Sequence, residues 1–224
     1  PTPGRIFLHT GVGSYQATNA LETNQSLEGE GDGLTVTIEG TPTTLVPAGT
    51  RPILSSTGDG IQPGTNSTIR GLDISITDGT GIYIGAGIGG VTVQNVDISN
   101  TVGSGISLVD ATGTNTFTNV NVTDADNTGL FVSGGNPTVS FDGSLVQNAA
   151  NGHLYMFQTL NTNGGSVTLN TGPFSDDDAA SPAIFIDRPQ VDCDGDEDGL
   201  PTRPTLGAYR TPVTRSLSSG VKTH

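Results

Sequence analysis

One interval governs this sequence. An apolar residue that follows a Gly-rich turn recurs at Ile82, Ile106, Leu130 and Leu154, each 24 residues after the last. A second apolar residue keeps step two positions on, at Ile84, Leu108, Val132 and Met156, so the intervening Tyr83, Ser107, Phe131 and Tyr155 are expected to point the other way by strand alternation. A preceding strand repeats as Leu72 and Ile74, Val96 and Ile98, then Val120 and Val122. A third opens each repeat with Ile69, Val93, Phe117 and Phe141.

Each repeat therefore holds short period-2 segments separated by Gly, Asn, Asp and Thr turns. Segments this short cannot span a barrel, and no stretch with a 3.6-residue apolar period supplies the crossover helices of an α/β fold. Stacked coils remain, and the fold class expected is all-β, a right-handed parallel β-helix with coils of about 24 residues. The composition alone would mislead. With 33 Gly, 13 Pro, no Trp and 32% hydrophobic residues, the chain would suit disorder if its apolar residues were scattered rather than periodic. In a stack, equivalent side chains lie above one another, so the turn positions Asn100, Asp124 and Asn148 are expected to form a structural ladder.

Before the regular coils come Ile6-Phe7-Leu8, then Leu34, Val36 and Ile38, Leu45-Val46 and Ile53-Leu54, read as looser, longer coils. The phrases Leu27-Glu28-Gly29-Glu30-Gly31 and Ile69-Arg70-Gly71-Leu72 resemble the "Leu-Gly-Glu-Gly" turn and "Ile-Arg-Gly-Leu" strand that begin pectate-lyase-like β-helix domains of large bacterial surface proteins. Leu206-Gly207-Ala208-Tyr209-Arg210 is similar to their closing "Ile-Gly-Ala-Tyr-Glu", with Arg210 departing from Glu. The resemblance spans roughly Ile6 to Arg210. It implies the fold and says little of function. The organisation expected is irregular coils and a cap over 1–65, regular coils over 66–165, C-terminal coils with an acidic loop over 166–210 and a tail or linker over 211–224.

Net charge of −14, from 22 acidic residues against 8 Lys and Arg, sets the class of partner. Nucleic acid and anionic membrane surfaces repel such a chain. No apolar run approaches the roughly 20 residues that cross a bilayer, so membrane insertion is not expected. The start, Pro1-Thr2-Pro3-Gly4, lacks a charged region followed by an apolar stretch, and an export signal is expected to have been removed or to lie upstream. Cys193 is the single cysteine, so no internal disulfide forms.

Four constellations could carry chemistry. The alternate carboxylates Asp192, Asp194, Asp196 and Asp198, followed by Gly199, fit the first half of a calcium loop, because a hard cation takes several oxygens converging from a tight turn. Thr205 stands where an EF-hand needs its bidentate Glu, so the alternative is a solvated acidic turn. Pectate lyases and polygalacturonases share the fold, which makes an enzyme the second reading. A lyase needs a cationic base, and there is no Lys or Arg between Gly71 and Asp187. Asp73 and Asp97, one repeat apart, could form a retaining glycosidase pair at about 5 Å. The next rung is Asn121, and His153 lacks cationic neighbours. Thr68, Thr92 and Thr116 form an outward stripe that Ser140 interrupts. It fits ice binding or plain strand propensity. Asn24, Asn66 and Asn121 begin Asn-x-Ser/Thr sequons.

The function expected is a non-catalytic, secreted or cell-surface structural or adhesive module. Its partners would be copies stacked end to end, neighbouring domains or glycans, with calcium the one candidate cofactor. The alternative is a polysaccharide-active enzyme or glycan-binding module.

Overall fold

The computed structural model describes residues 4–16, 19–143, 145–149, 155–158, 165–170 and 184–187. They form a parallel β-solenoid inside the compact unit Pro1–Pro189. The first coil holds β1 (Arg5–Leu8), β2 (Tyr15–Gln16) and β3 (Asn19–Ala20). The second holds β4 (Ser26–Gly29), an excursion made of β5 (Leu34–Ile38) and β6 (Thr41–Val46), then β7 (Ile53–Ser56) and β8 (Ile61–Gln62). Regular coils follow as β9 (Thr68–Thr77) with β10 (Ile82–Ile84), β11 (Thr92–Thr101) with β12 (Ile106–Val109), and β13 (Thr114–Ala125) with β14 (Leu130–Ser133). The next is β15 (Thr138–Asp142), β16 (Leu145–Ala149) and β17 (Tyr155–Gln158), and β18 (Ser166–Asn170) and β19 (Ile184–Asp187) continue the stack.

Two parallel sheets result. One runs β1-β4-β9-β11-β13-β15-β18, with β2, β7 and β16 joined to it, and the other runs β19-β17-β14-β12-β10-β8-β3. The 24-residue interval is the ladder register itself: Ile69 pairs with Val93 and Val93 with Phe117, while Ile82 pairs with Ile106 and Ile106 with Leu130. All six are fully buried, so each inward row is a continuous apolar column. The long strands β9, β11 and β13 each turn a corner at a residue with left-handed φ: Gly71 (67°), Asn95 (52°) and Asn119 (53°), with Gly143 (58°) next in the row. Gly and Asn are the residues that tolerate this conformation at low cost, which is why the row contains nothing else.

Two expectations change. Leu34 to Ile38 and Leu45-Val46 are not coils; β5 and β6 pair antiparallel as a hairpin closed at Glu39-Gly40, both with positive φ. The two-residue turn favours a hairpin over a parallel rung. It leaves the solenoid beside the corner later marked by Gly71. The second change is a slip after Ala149. β16 still pairs 24 residues on from β13, but β17 pairs Leu130 with Tyr155 and Val132 with Phe157, one residue later than the repeat predicts. A one-residue slip exchanges the faces of a strand. Tyr155 and Phe157 are therefore buried, and the expectation that Tyr155 points outward is overturned. Phe117, Phe141, Tyr155 and Phe157 follow one another as aromatic neighbours at centroid distances of 5.5, 6.3 and 6.4 Å. The extra residue serves this aromatic core.

Candidate functional site

The hairpin brings charge to the corner of the solenoid. At its entry, the phrase Leu27-Glu28-Gly29-Glu30-Gly31 lies on Ile69-Arg70-Gly71: Leu27 pairs with Ile69 and Glu28 with Arg70. Gly29 and Gly31 approach the Gly71 carbonyl so closely that a Cβ on either would stand 2.2 or 2.6 Å from its oxygen. Glu28, 4% exposed, accepts from Arg5 Nε at 2.6 Å, Arg5 Nη2 at 2.7 Å and Arg70 Nη2 at 2.7 Å. Burial alone pushes its carboxyl up, but the hydrogen bonds and charges of the two guanidiniums outweigh burial and hold it below the ordinary glutamate value.

The first coil fastens the same foot of the hairpin. Glu30 Oε2 accepts from the Thr10 amide at 2.7 Å and lies 2.9 Å from His9 Nδ1. The Thr10 amide is the largest cause of a lowered Glu30 carboxyl. Thr10 Oγ1 donates to the Thr50 carbonyl in the segment that returns from the hairpin.

Asp73 and Asp97 are adjacent rungs on the outer face of the first sheet, as the interval predicts, with Asn121 the next. The sequence reading missed what lies between them. Arg51, at the hairpin's return, pairs with Asp97 Oδ2 and, at 3.4 Å, with Asp73 Oδ1. Asn121 Nδ2 donates to the other oxygen of Asp97 at 2.8 Å. Both Asp97 oxygens are thus engaged. Burial raises the Asp73 carboxyl above its ordinary value; the Arg51 charge opposes this and the Asp97 charge adds to it. No Lys or Arg lies between Gly71 and Asp187, yet a cation reaches the acidic rungs from 22 residues upstream of Asp73.

A second line of side chains runs along the corner. Asn119 Nδ2 donates to Asn95 Oδ1 at 2.7 Å, and Asn95 Nδ2 donates to Asp32 Oδ1 at 3.0 Å, in the hairpin's other foot. In the row expected from the sequence, Asn100 and Asp124 occupy exposed positions with φ of 52° and 53°. The equivalent residue one coil earlier is Ile76, at φ 59° and 68% exposed. The Asn148 side chain lies outside the described residues.

The outer face of the second sheet is different in kind. Tyr83, Ser107 and Phe131 align in register, and the described strands β10, β12 and β14 carry no carboxylate, His, Lys or Arg. Thr68, Thr92, Thr116 and Ser140 align as expected on the first sheet, continued by Thr168. Of the sequons, Asn66 Nδ2 donates to Asn24 Oδ1 at 3.2 Å. His153, Cys193 and the candidate calcium ligands Asp192, Asp194, Asp196 and Asp198 lie outside the described residues.

A family model described as the right handed beta helix region matches residues 9–169, more than half of the chain. The chain belongs to the right-handed β-helix family. No curated protein and no solved structure matches it. Membership gives the β-helix domain its handedness and leaves its activity to the side chains. On those, the acidic pair Asp73 and Asp97 is bridged by an arginine, and strands β10, β12 and β14 of the second sheet carry no carboxylate, His, Lys or Arg.

Proposed function

We propose that this β-helix domain is a non-catalytic structural or adhesive module of a secreted or cell-surface protein, its coils serving as stalk or fibre segment. The observation that carries this is the engagement of Asp97 by Arg51 and Asn121. A glycosidase pair needs one carboxylate open to the sugar and another able to pass a proton, and a carboxylate with both oxygens bonded to its own protein is built for stability. An acidic exterior with no Lys or Arg between Gly71 and Asp187 suits a solvated, extracellular scaffold. In the same reading, calcium at Asp194 and Asp196 would stiffen the C-terminal part. Calorimetric titration should then give heat that disappears in Asp194→Ala with Asp196→Ala, and no heat in the parent chain would remove calcium from the account.

The raised carboxyl of Asp73 is the one observation that favours a polysaccharide-active alternative. Thermal unfolding of Asp97→Asn separates the two. If the trio is structural, the substitution weakens its bond to Arg51 and Tm falls. If it is an active site held together against repulsion, relief of the Asp73–Asp97 repulsion raises Tm.

A further inference from the structure

We propose that the outer face of the second sheet is a stacking platform for an uncharged, β-linked polysaccharide, which lies along the solenoid axis on Tyr83 and Phe131. This names a ligand for the adhesive form of the scaffold reading and rests on that reading.

The aromatic residues of the regular coils carry the argument. Four occur between Asn66 and Gly143. Phe117 and Phe141 are buried in the core. Tyr83 and Phe131 face outward and share one column, since Tyr83 pairs with Ser107 and Ser107 with Phe131. Their neighbours along each strand, Ile82, Ile84, Leu130 and Val132, are fully buried, so strand alternation places both rings on the exterior. The outward rungs of β9, β11 and β13 hold polar residues instead, among them Thr92, Gln94, Asp97 and Asn121. Two aromatic rings in one outward column depart from that pattern.

Their surroundings suit a flat ligand. Ser107 points outward yet is only 5% exposed, because a larger side chain stands on each side of it. A Cβ on Gly85 would stand 3.4 Å from Tyr83 Cε1, so the tyrosine ring lies toward a residue without a side chain. Tyr83 and Phe131 are both half-buried, supported by the sheet and still open to solvent. Two ladder steps separate the two positions, about 10 Å along the axis. That is the length of two pyranose units in an extended chain with equatorial linkages, in which alternate sugars present the same face.

Charge and area select the occupant. Strands β10, β12 and β14 carry no carboxylate, His, Lys or Arg, on a chain whose net charge is −14. An acidic polysaccharide is repelled by the molecule and meets no cation on these strands, whereas a neutral one has no such repulsion to overcome. A stable protein partner needs about 800 Å² per side around an apolar centre. The more exposed large apolar side chains, Ile38, Leu45, Ile76 and Val102 among them, all lie off these three strands. Aromatic rings flanking a serine present flat apolar area beside a hydroxyl, which matches the C–H face and hydroxyl edge of a sugar.

The test is calorimetric titration of the full chain with cellohexaose and xylohexaose, with cellobiose as the short ligand and an oligogalacturonate of equal length as the acidic one. At least one neutral hexaose should bind, and cellobiose should bind it about tenfold more weakly because it cannot rest on both rings. Tyr83→Ala and Phe131→Ala should each weaken the hexaose about tenfold, while Tyr83→Phe, which keeps the ring, stays within about twofold. Tyr15→Ala, an exposed tyrosine elsewhere, should leave binding unchanged. Circular dichroism checks that each variant is folded. Saturating the aromatic protons of the parent chain should transfer magnetisation to the sugar ring protons, a readout that needs no variant. No heat from either neutral hexaose, binding that survives Tyr83→Ala with Phe131→Ala, or tighter binding of the oligogalacturonate overturns the proposal. Cleavage of a bound hexaose would overturn the scaffold reading and leave the platform standing, and absence of binding would leave the scaffold reading untouched, so the two failures give different results.

Discussion

Glu28 shows how a single residue can hold two coils and a hairpin together. Its carboxylate is buried and bonded to Arg5 and Arg70, so Glu28→Gln leaves two guanidiniums short of their counter-charge. The expected loss is about 2–3 kcal/mol, the range for hydrogen bonds to charged groups, read as a lower denaturation midpoint. The pH dependence has a definite sign. A depressed folded pKa means that Glu28 contributes fully above the ordinary glutamate range and that this stability is lost as pH falls through the folded value. Asp73 works in the opposite sense: its raised value favours the folded state at low pH and is lost as pH rises through it. The parent chain should therefore lose stability on acidification below the glutamate range. Glu28→Gln should show a shallower acid limb in a series of urea titrations. An unchanged limb would mean that the triad does not set acid stability.

At the scale of elements, the hairpin is the feature that makes the N-terminal coils more than a cap. It leaves the corner between Gly29 and Gly31 and returns through Arg51, and its two feet meet the corner rows of later coils at Asn95, Asp73 and Asp97. The glycines are required by contact rather than by turn type. Gly29→Ala or Gly31→Ala drives a Cβ against the Gly71 carbonyl and should cost at least the 1–3 kcal/mol typical of overpacking. Gly40→Ala, at the hairpin tip, meets nothing within 4 Å and carries only the strain of its φ of 81°, about 1–2 kcal/mol. Chemical denaturation of the three variants should rank them in that order; equal losses would mean that the entry turn adjusts freely. The hairpin also marks what the sequence could not disclose. Leu34, Val36 and Ile38 alternate like any rung, and nothing in alternation tells a parallel coil from an antiparallel excursion. The Glu39-Gly40 turn was the available signal. Arg51 escaped notice for a related reason, since its place beside Asp73 and Asp97 follows from the hairpin's return and not from the 24-residue interval.

Over the whole molecule, periodicity was informative wherever the coil length stayed constant. From Ile69 to Phe141 the inward and outward rows follow the interval, because a parallel ladder keeps equivalent residues in register and each row must be apolar to be buried. The interval failed at Tyr155, where one added residue between Ala149 and β17 changed which face the strand buries. Tyr155→Ala should accordingly behave as a core substitution, costing about 3–5 kcal/mol by analogy with other buried aromatics, where an outward tyrosine would cost little. The pairing of the acidic rungs was legible, but their chemistry was not, because it depends on a cation brought from another coil.

That chemistry decides between scaffold and enzyme, and it can be measured directly. The parent chain, Asp73→Asn and Asp97→Asn are incubated with a panel of neutral and acidic polysaccharides, and new reducing ends and unsaturated products are followed over time. The scaffold account predicts no release above the buffer control from any of the three. Cleavage by the parent chain that disappears in either variant would contradict it and make the Arg51-bridged pair an active site.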